Sequence, residues 1–208
     1  MLGPTLNDSC VRALAALGTV RSYAKNTILI QEGDKSDQIY VVLSGKLKVY
    51  LADSEGKEII IDMLHPGQYF GEMALEGEPR SASVMTLEPA KLSIVERAQF
   101  KRFLADNPDG AYALIVTLIR RARNLTRTIG DLALLDVYGR VARLLLDNAR
   151  EKDGQFVVAS RMTQQEIAKR VGASREMVWR ILDDLREGEY IAMQDGRIVI
   201  RQQLPKRW

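Results

Sequence analysis

Cysteine and histidine are nearly missing from this chain of 208 residues, where Cys10 and His65 each stand alone. Disulfides need pairs, and iron–sulfur, structural zinc or multi-histidine sites need clusters of ligands, so these classes are excluded. Cys10 reads as a small apolar side chain, and His65, in "LHPGQ", as a turn residue. Long apolar runs are lacking too. The longest, "ALIVTLI" at 113–119, falls well short of the roughly 20 residues that span a bilayer. The opening "MLGPTLNDSC" carries neither the basic nor the apolar segment of a secretory leader. The expectation is a soluble cytoplasmic protein.

The apolar fraction, 46%, and the length suffice for two small domains, each with its own core. Net charge is +3, and it is unevenly placed. Residues 161–208 hold ten basic and seven acidic side chains, so the whole excess lies in that C-terminal part, where a polyanion could be met.

Along the chain, a short helical segment from Leu6 to Leu17 precedes a stretch, residues 20–97, of β-branched runs broken by glycine turns. "NTILI", "QIYVVLSGKLKVYLA", "KEIIIDML" and "AKLSIVE" read as strands. Many short strands at this spacing predict an antiparallel barrel or jelly roll. The period then becomes helical. "RAQFKRFLADNP" is a helix stopped by Pro108, and the stretch from about Asp109 to Leu135 carries a seven-residue apolar repeat. Ile115, Ala122 and Ile129 hold one seam position, and Leu118, Leu125 and Leu132 the other, which predicts a partner helix. The alternative is a long helix packed on its own barrel. Arg120, Arg121, Arg123 and Arg127 lie off the seam and read as a solvated face.

"VYGRVARLLLDNAREK" is a further helix, and "QFVVA" a strand. In "MTQQEIAKRVGASREMVWRILDDLREGEYI", Thr163 and Glu166 make a capping box, Gly172 a tight turn and Ser174 a second cap. Ile167, Ala168 and Val171 face inward on the first helix, and Val178, Ile181, Leu182 and Leu185 on the second. "YIAMQDGRIVIRQ" is a hairpin turning at Asp195 and Gly196. Helix, turn, helix and hairpin make a winged helix-turn-helix.

One stretch stands out: "FGEMALEGEPRSASV", residues 70–84, puts Glu72 and Arg80 among small residues, as if something approaches the backbone there. The motifs "GEMAL" with "RSASV", "LLDVYGRVA" and "TQQEIAKRVGASREMVWRIL", in that order, resemble the catabolite activator and fumarate-nitrate regulator (Crp/Fnr) family of bacterial transcription factors from about residue 20 to 203. The resemblance implies an α+β chain with three parts. They are a cyclic-nucleotide-binding jelly-roll β-barrel over residues 1–107, a dimerisation helix over 108–136 and a winged helix-turn-helix over 137–208.

It further implies that 70–84 is a phosphate-binding cassette. Arg80 would bind the cyclic phosphate through two N–H groups, Ser81 would add a hydroxyl, and Gly71, Met73 and Ala74 would let backbone amides close on the anion. Glu72, an acceptor when ionised, suits the ribose 2′-hydroxyl. The alternative is a structural Glu72–Arg80 ion pair in a barrel without ligand. In enteric members of the family a threonine and a serine on the dimer helix face adenine, and the aligned pair here is Leu125 and Thr126. Cyclic AMP is the implied effector, with cyclic GMP or another nucleotide open.

For DNA, the resemblance implies Thr163, Gln164, Ser174, Arg175, Glu176, Trp179 and Arg180, with arginine reading guanine and Glu176 cytosine. Trp179 either flanks the DNA backbone or packs on the wing. Other implied partners are a second copy of the chain and RNA polymerase, for a non-enzymatic activator. A regulator acting without a nucleotide is the alternative. A jelly-roll metalloenzyme would need more than one histidine. A pure interaction module would leave Arg175, Glu176 and Arg180 unexplained.

Overall fold

The computed structural model describes residues 8–152, 154–159 and 161–205. It divides into two units, Leu2–Asn124 and Leu125–Trp208. In the first, α1 (Asp8–Ala16) precedes β1 (Thr19–Tyr23), β2 (Ile28–Ile30), β3 (Gln38–Ser44), β4 (Leu47–Ala52), β5 (Glu58–Leu64) and β6 (Tyr69–Phe70). A 3-10 turn (Glu72–Leu75), β7 (Ser83–Thr86), β8 (Ala90–Glu96) and α2 (Arg97–Asp106) follow. The strands form two antiparallel four-stranded sheets, β1-β8-β3-β6 and β2-β7-β4-β5.

β3 explains its own composition. Ile39 and Val41 enter one core, with Val11 and Leu14 of α1 and Phe100 and Phe103 of α2, while Tyr40 and Val42 enter the other, with Ile30, Leu47, Leu64 and Phe70. Covered on both faces, the strand cannot alternate polar and apolar residues, hence the unbroken "IYVV". "QIYVVLSGKLKVYLA" is indeed two strands, but β3 pairs with β6 and β8, and β4 with β5 and β7. The chain thus changes sheet at Gly45, whose φ is 94° and where a Cβ would lie 2.6 Å from that of Ala90. Only glycine fits there.

Beyond α2, Pro108 opens the next helix as well as marking the end of the previous one. Proline suits a helix's first turn, and α3 runs Pro108–Leu134. It carries two apolar rows. Leu114 and Thr117 are buried, Leu114 within the α1–α2 core, whereas Ile115, Leu118, Leu125, Ile129 and Leu132 are exposed.

The second unit continues with α4 (Val137–Asn148), β9 (Ala149–Lys152), β10 (Gln155–Val158), α5 (Gln164–Val171), α6 (Arg175–Glu187), β11 (Ile191–Gln194) and β12 (Arg197–Ile200). Val141, Leu145, Ile167, Val171, Val178, Ile181, Leu185, Ile191 and Ile198 form its core. The sheet order is β11-β12-β10-β9. The wing turns at Asp195 (φ 50°) and Gly196 (φ 72°), both left-handed, as a two-residue hairpin requires.

The structure departs from the sequence reading in two places. "AREK" is strand β9 rather than the end of a helix: the ladder with β10 takes its backbone, and Ala149 is already extended at ψ 145°. β1 and β7 were not legible as strands, because cross-strand pairing to β8 and to β2 and β4 decides them rather than composition. Of the helix expected over Leu6–Leu17, α1 accounts for Asp8–Ala16, and Leu6 lies outside the described residues.

Candidate functional sites

The cassette is built around one glycine and one arginine. β6 is followed by Gly71, whose φ is 85°; a Cβ there would sit 2.8 Å from the Gln38 carbonyl oxygen and 3.2 Å from Arg80 Nη1. With the side chain absent, the guanidinium closes on the main chain. Arg80 Nη1 donates to Gly71 O at 2.7 Å and Nη2 to Gln38 O at 2.6 Å. The backbone of Arg80 is pinned as well: its N–H donates to Asp34 O (2.9 Å), and its carbonyl accepts from Gly33 N (2.8 Å). Arg80 is buried, and burial holds its pKa below the ordinary value although Tyr40, Glu72 and Asp37 oppose that.

Of the five N–H groups of a guanidinium, two are thus spent on carbonyls. Arg80 Nε is buried without a hydrogen-bond partner among the described residues, and so is Glu72 Oε2. Buried polar atoms are normally satisfied, so a donor and an acceptor left open in one cassette suit a ligand bearing an anion and a hydroxyl. Met73 and Ser81 are exposed, and the Ser81 hydroxyl donates to Met73 Sδ at 2.9 Å; Ala74 is buried. Arg97 of α2 donates to Ala74 O (3.4 Å), tying the 3-10 turn to that helix.

Arg121 departs from its reading as part of a solvated face. Its Nη1 donates to Glu72 Oε1 and its Nη2 to Tyr69 O, both at 2.6 Å. Burial alone would lower its pKa, but Glu72, Tyr69 and Asp62 outweigh that and hold it above the ordinary value. Burial pushes Tyr69 up to about 12. A signal existed in the sequence: Arg121 follows the buried Leu114 and Thr117 by seven and four residues, so it shares their helix row and not the seam. Leu125 and Thr126 belong to the second unit, on α3.

In the second unit the junction motif acquires a physical reading. Asp136 caps α4 by accepting from Gly139 N at 2.7 Å, and a Cβ on Gly139 would meet Asp136 Oδ1 at 3.2 Å. Arg140 then donates to Leu135 O and to Val171 O, each at 2.8 Å, clamping the end of α5 to the start of α4. Thr163 caps α5 by accepting from Glu166 N (3.1 Å), Gly172 closes it at φ 64°, and Ser174 caps α6 by accepting from Met177 N (3.2 Å). Val178, Ile181 and Leu185 bury one face of α6. Arg175, Glu176, Trp179 and Arg180 are left exposed, as is Thr163, with Gln164 half-buried beside it. Glu176 is held below the usual carboxylate range first by the N–H of its own residue, then by Ser174, with Arg175 and Arg180 adding to this. Trp179 lines a cleft of about 320 Å³ with Gln164, Ile191 and Met193. Among the described residues there is no helix long and apolar enough to cross a membrane and no cluster suited to a metal ion.

Comparison with known proteins agrees with this geometry. The model of the cyclic nucleotide-binding domain matches residues 20–107, and that of the Crp-like helix-turn-helix domain residues 139–203. The chain is 34% identical over 189 residues to the cAMP-activated global transcriptional regulator CRP of Pasteurella multocida, covering 87% of this chain and 89% of that one. It is 32% identical over 205 residues to its Salmonella typhimurium counterpart, covering 96% and 98%. Among solved structures, the c-di-GMP-responsive global regulator CLP of Xanthomonas campestris superposes with a TM-score of 0.80 at 25% identity, over 94% of this chain and all (100%) of that one. CooA from Carboxydothermus hydrogenoformans shares the fold, with a TM-score of 0.80 at 20% identity over 92% and 87%. With a cyclic nucleotide-binding domain matched over residues 20–107 and a Crp-like helix-turn-helix domain over 139–203, the chain belongs to the Crp/Fnr family of DNA-binding transcription regulators.

Proposed function

We propose that this regulator binds cyclic AMP in its barrel, works as a homodimer held by the α3 seam, and is switched by the nucleotide between states of different DNA affinity. The observation that carries the reading is the pair of open buried atoms, Arg80 Nε and Glu72 Oε2, in one glycine-shaped cassette. The guanidinium meets the cyclic phosphate with its remaining N–H groups and Ser81 adds its hydroxyl, while Glu72, held through Oε1 by Arg121, accepts the ribose hydroxyl on Oε2. The exposed apolar row Ile115, Leu118, Leu125, Ile129 and Leu132 supports a second copy as the partner of α3. Leu125 is apolar where a base would need a hydrogen bond, so recognition of adenine falls to Thr126.

On DNA, two-fold symmetry calls for an inverted repeat, with Arg175 and Arg180 on guanines and Glu176 on a cytosine, and Thr163 and Gln164 near phosphates. RNA polymerase is the partner for activation, and the cytoplasm the setting. A nucleotide other than cyclic AMP is the second reading, favoured by the c-di-GMP response of the CLP regulator.

Calorimetry of the purified protein against cyclic AMP, cyclic GMP and cyclic di-GMP tests the effector, and sedimentation with and without ligand tests the dimer. Cyclic AMP is expected to bind tightest to a dimer. Heat absent with all three nucleotides, or a monomer at micromolar concentration, would refute the corresponding part.

A further inference from the structure

Trp179 is the residue that base reading by arginine and glutamate leaves unused. It is 52% exposed, on the face of α6 away from the core. It lies four residues after Arg175 and one before Arg180, so along the helix axis it sits between the two arginines. Those two are about 7.5 Å apart along the axis, close to two base-pair steps. Of the side chains they bracket, Val178 is buried in the core, whereas Trp179 lies on the exposed face with them. The same indole borders a cleft that Gln164 and the wing residues Ile191 and Met193 also line. An indole is a flat, largely apolar plane.

An indole offers one N–H donor and no acceptor, so it is poorly equipped to tell bases apart by hydrogen bonds. The apolar feature on a major-groove base edge is the C5-methyl group of thymine. Resting on the reading of α6 as the base-reading helix, we infer that Trp179 reads one thymine per half-site by packing its exposed edge on that methyl group. The thymine lies at the step between the base pairs addressed by Arg175 and Arg180.

The test uses the full-length protein and the duplex enriched from random sequence, with and without cyclic AMP. Each thymine is replaced singly by deoxyuridine, which removes only the methyl group. One replacement per half-site should weaken wild-type binding about three- to fivefold, the size of one buried methyl group. Trp179→Ala should bind the thymine and uridine duplexes equally and should retain its melting temperature. A wild-type protein indifferent to every uridine overturns the inference without recourse to any variant. So does a Trp179→Ala protein weakened by the same factor on all duplexes, which would make the contact one to sugar and phosphate. Arg180→Ala in the same selection separates the two levels: if it keeps the full wild-type base preference, the reading of α6 itself fails.

Discussion

The two arginine-centred sites of this chain are built on opposite principles. Arg80 is buried at 4% exposure, bonded to two carbonyls and pinned through its own backbone, so its geometry is fixed before any ligand arrives. Arg175 and Arg180 are exposed on a helix whose other face forms the core. Burial lowers the Arg80 pKa, whereas Glu176 beside the exposed arginines is shifted by neighbouring N–H, hydroxyl and charge. On the proposed reading a small anion is enclosed at Arg80, and the site bears the desolvation in advance. A duplex is too large to enclose, so its readers stay hydrated until docking and the scaffold only aims them. On the proposed reading, ligand selectivity would rest on tertiary contacts around Arg80, and DNA selectivity on which side chains occupy the outer face of α6.

The strongest way to break this comparison is Arg80→Leu. Loss of a charge-assisted phosphate contact, about 1.5–3 kcal/mol or more, should lower nucleotide affinity at least tenfold by calorimetry. Leucine leaves two carbonyls without their donor but also removes the cost of burying a charge, so the loss of stability should stay within about 1–3 kcal/mol. A collapse in melting would make Arg80 a structural residue first. Next comes Arg121→Leu, which strands the Glu72 carboxylate in a mostly buried site. It should cost about 1–3 kcal/mol in denaturant unfolding, and Glu72→Leu in addition should restore much of that. Simple additivity would deny the pair its coupling.

At the exposed site, Arg180→Ala should leave stability within about 0.5 kcal/mol. It should also cost about 1–3 kcal/mol of discrimination at one position of each half-site, read by binding selection. The smallest effect is expected for Leu125→Thr. If residue 125 faces the base, the ratio of cyclic AMP to cyclic GMP affinity should rise, because a hydrogen-bonding group rejects the wrong edge while a leucine offers only area. An unchanged ratio would assign Leu125 to the dimer seam alone.

Much of the second unit was legible because its signals are local. Thr163, Gly172 and Ser174 punctuate helices through bonds within a few residues, and the inward apolar sets of α5 and α6 follow from helical period. The first unit yielded less. Short strands such as β7 are defined by partners distant in the chain, and "LSGKL" looks like a hairpin although its two strands join different sheets.

By itself the sequence determined most of the elements, the seven-residue apolar seam on α3 and the polar outer face of α6. Tertiary structure alone decided which row of α3 lies on the barrel, and with it that Arg121 leaves solvent to hold Glu72. It also decided that Gly71 makes room for Arg80 beside Gln38, a residue 42 positions away in the chain. The reason is one of range: caps, turns and helical faces are bonded within one turn of chain, whereas burial and pairing of a charge depend on surfaces that meet only after the sheets have closed.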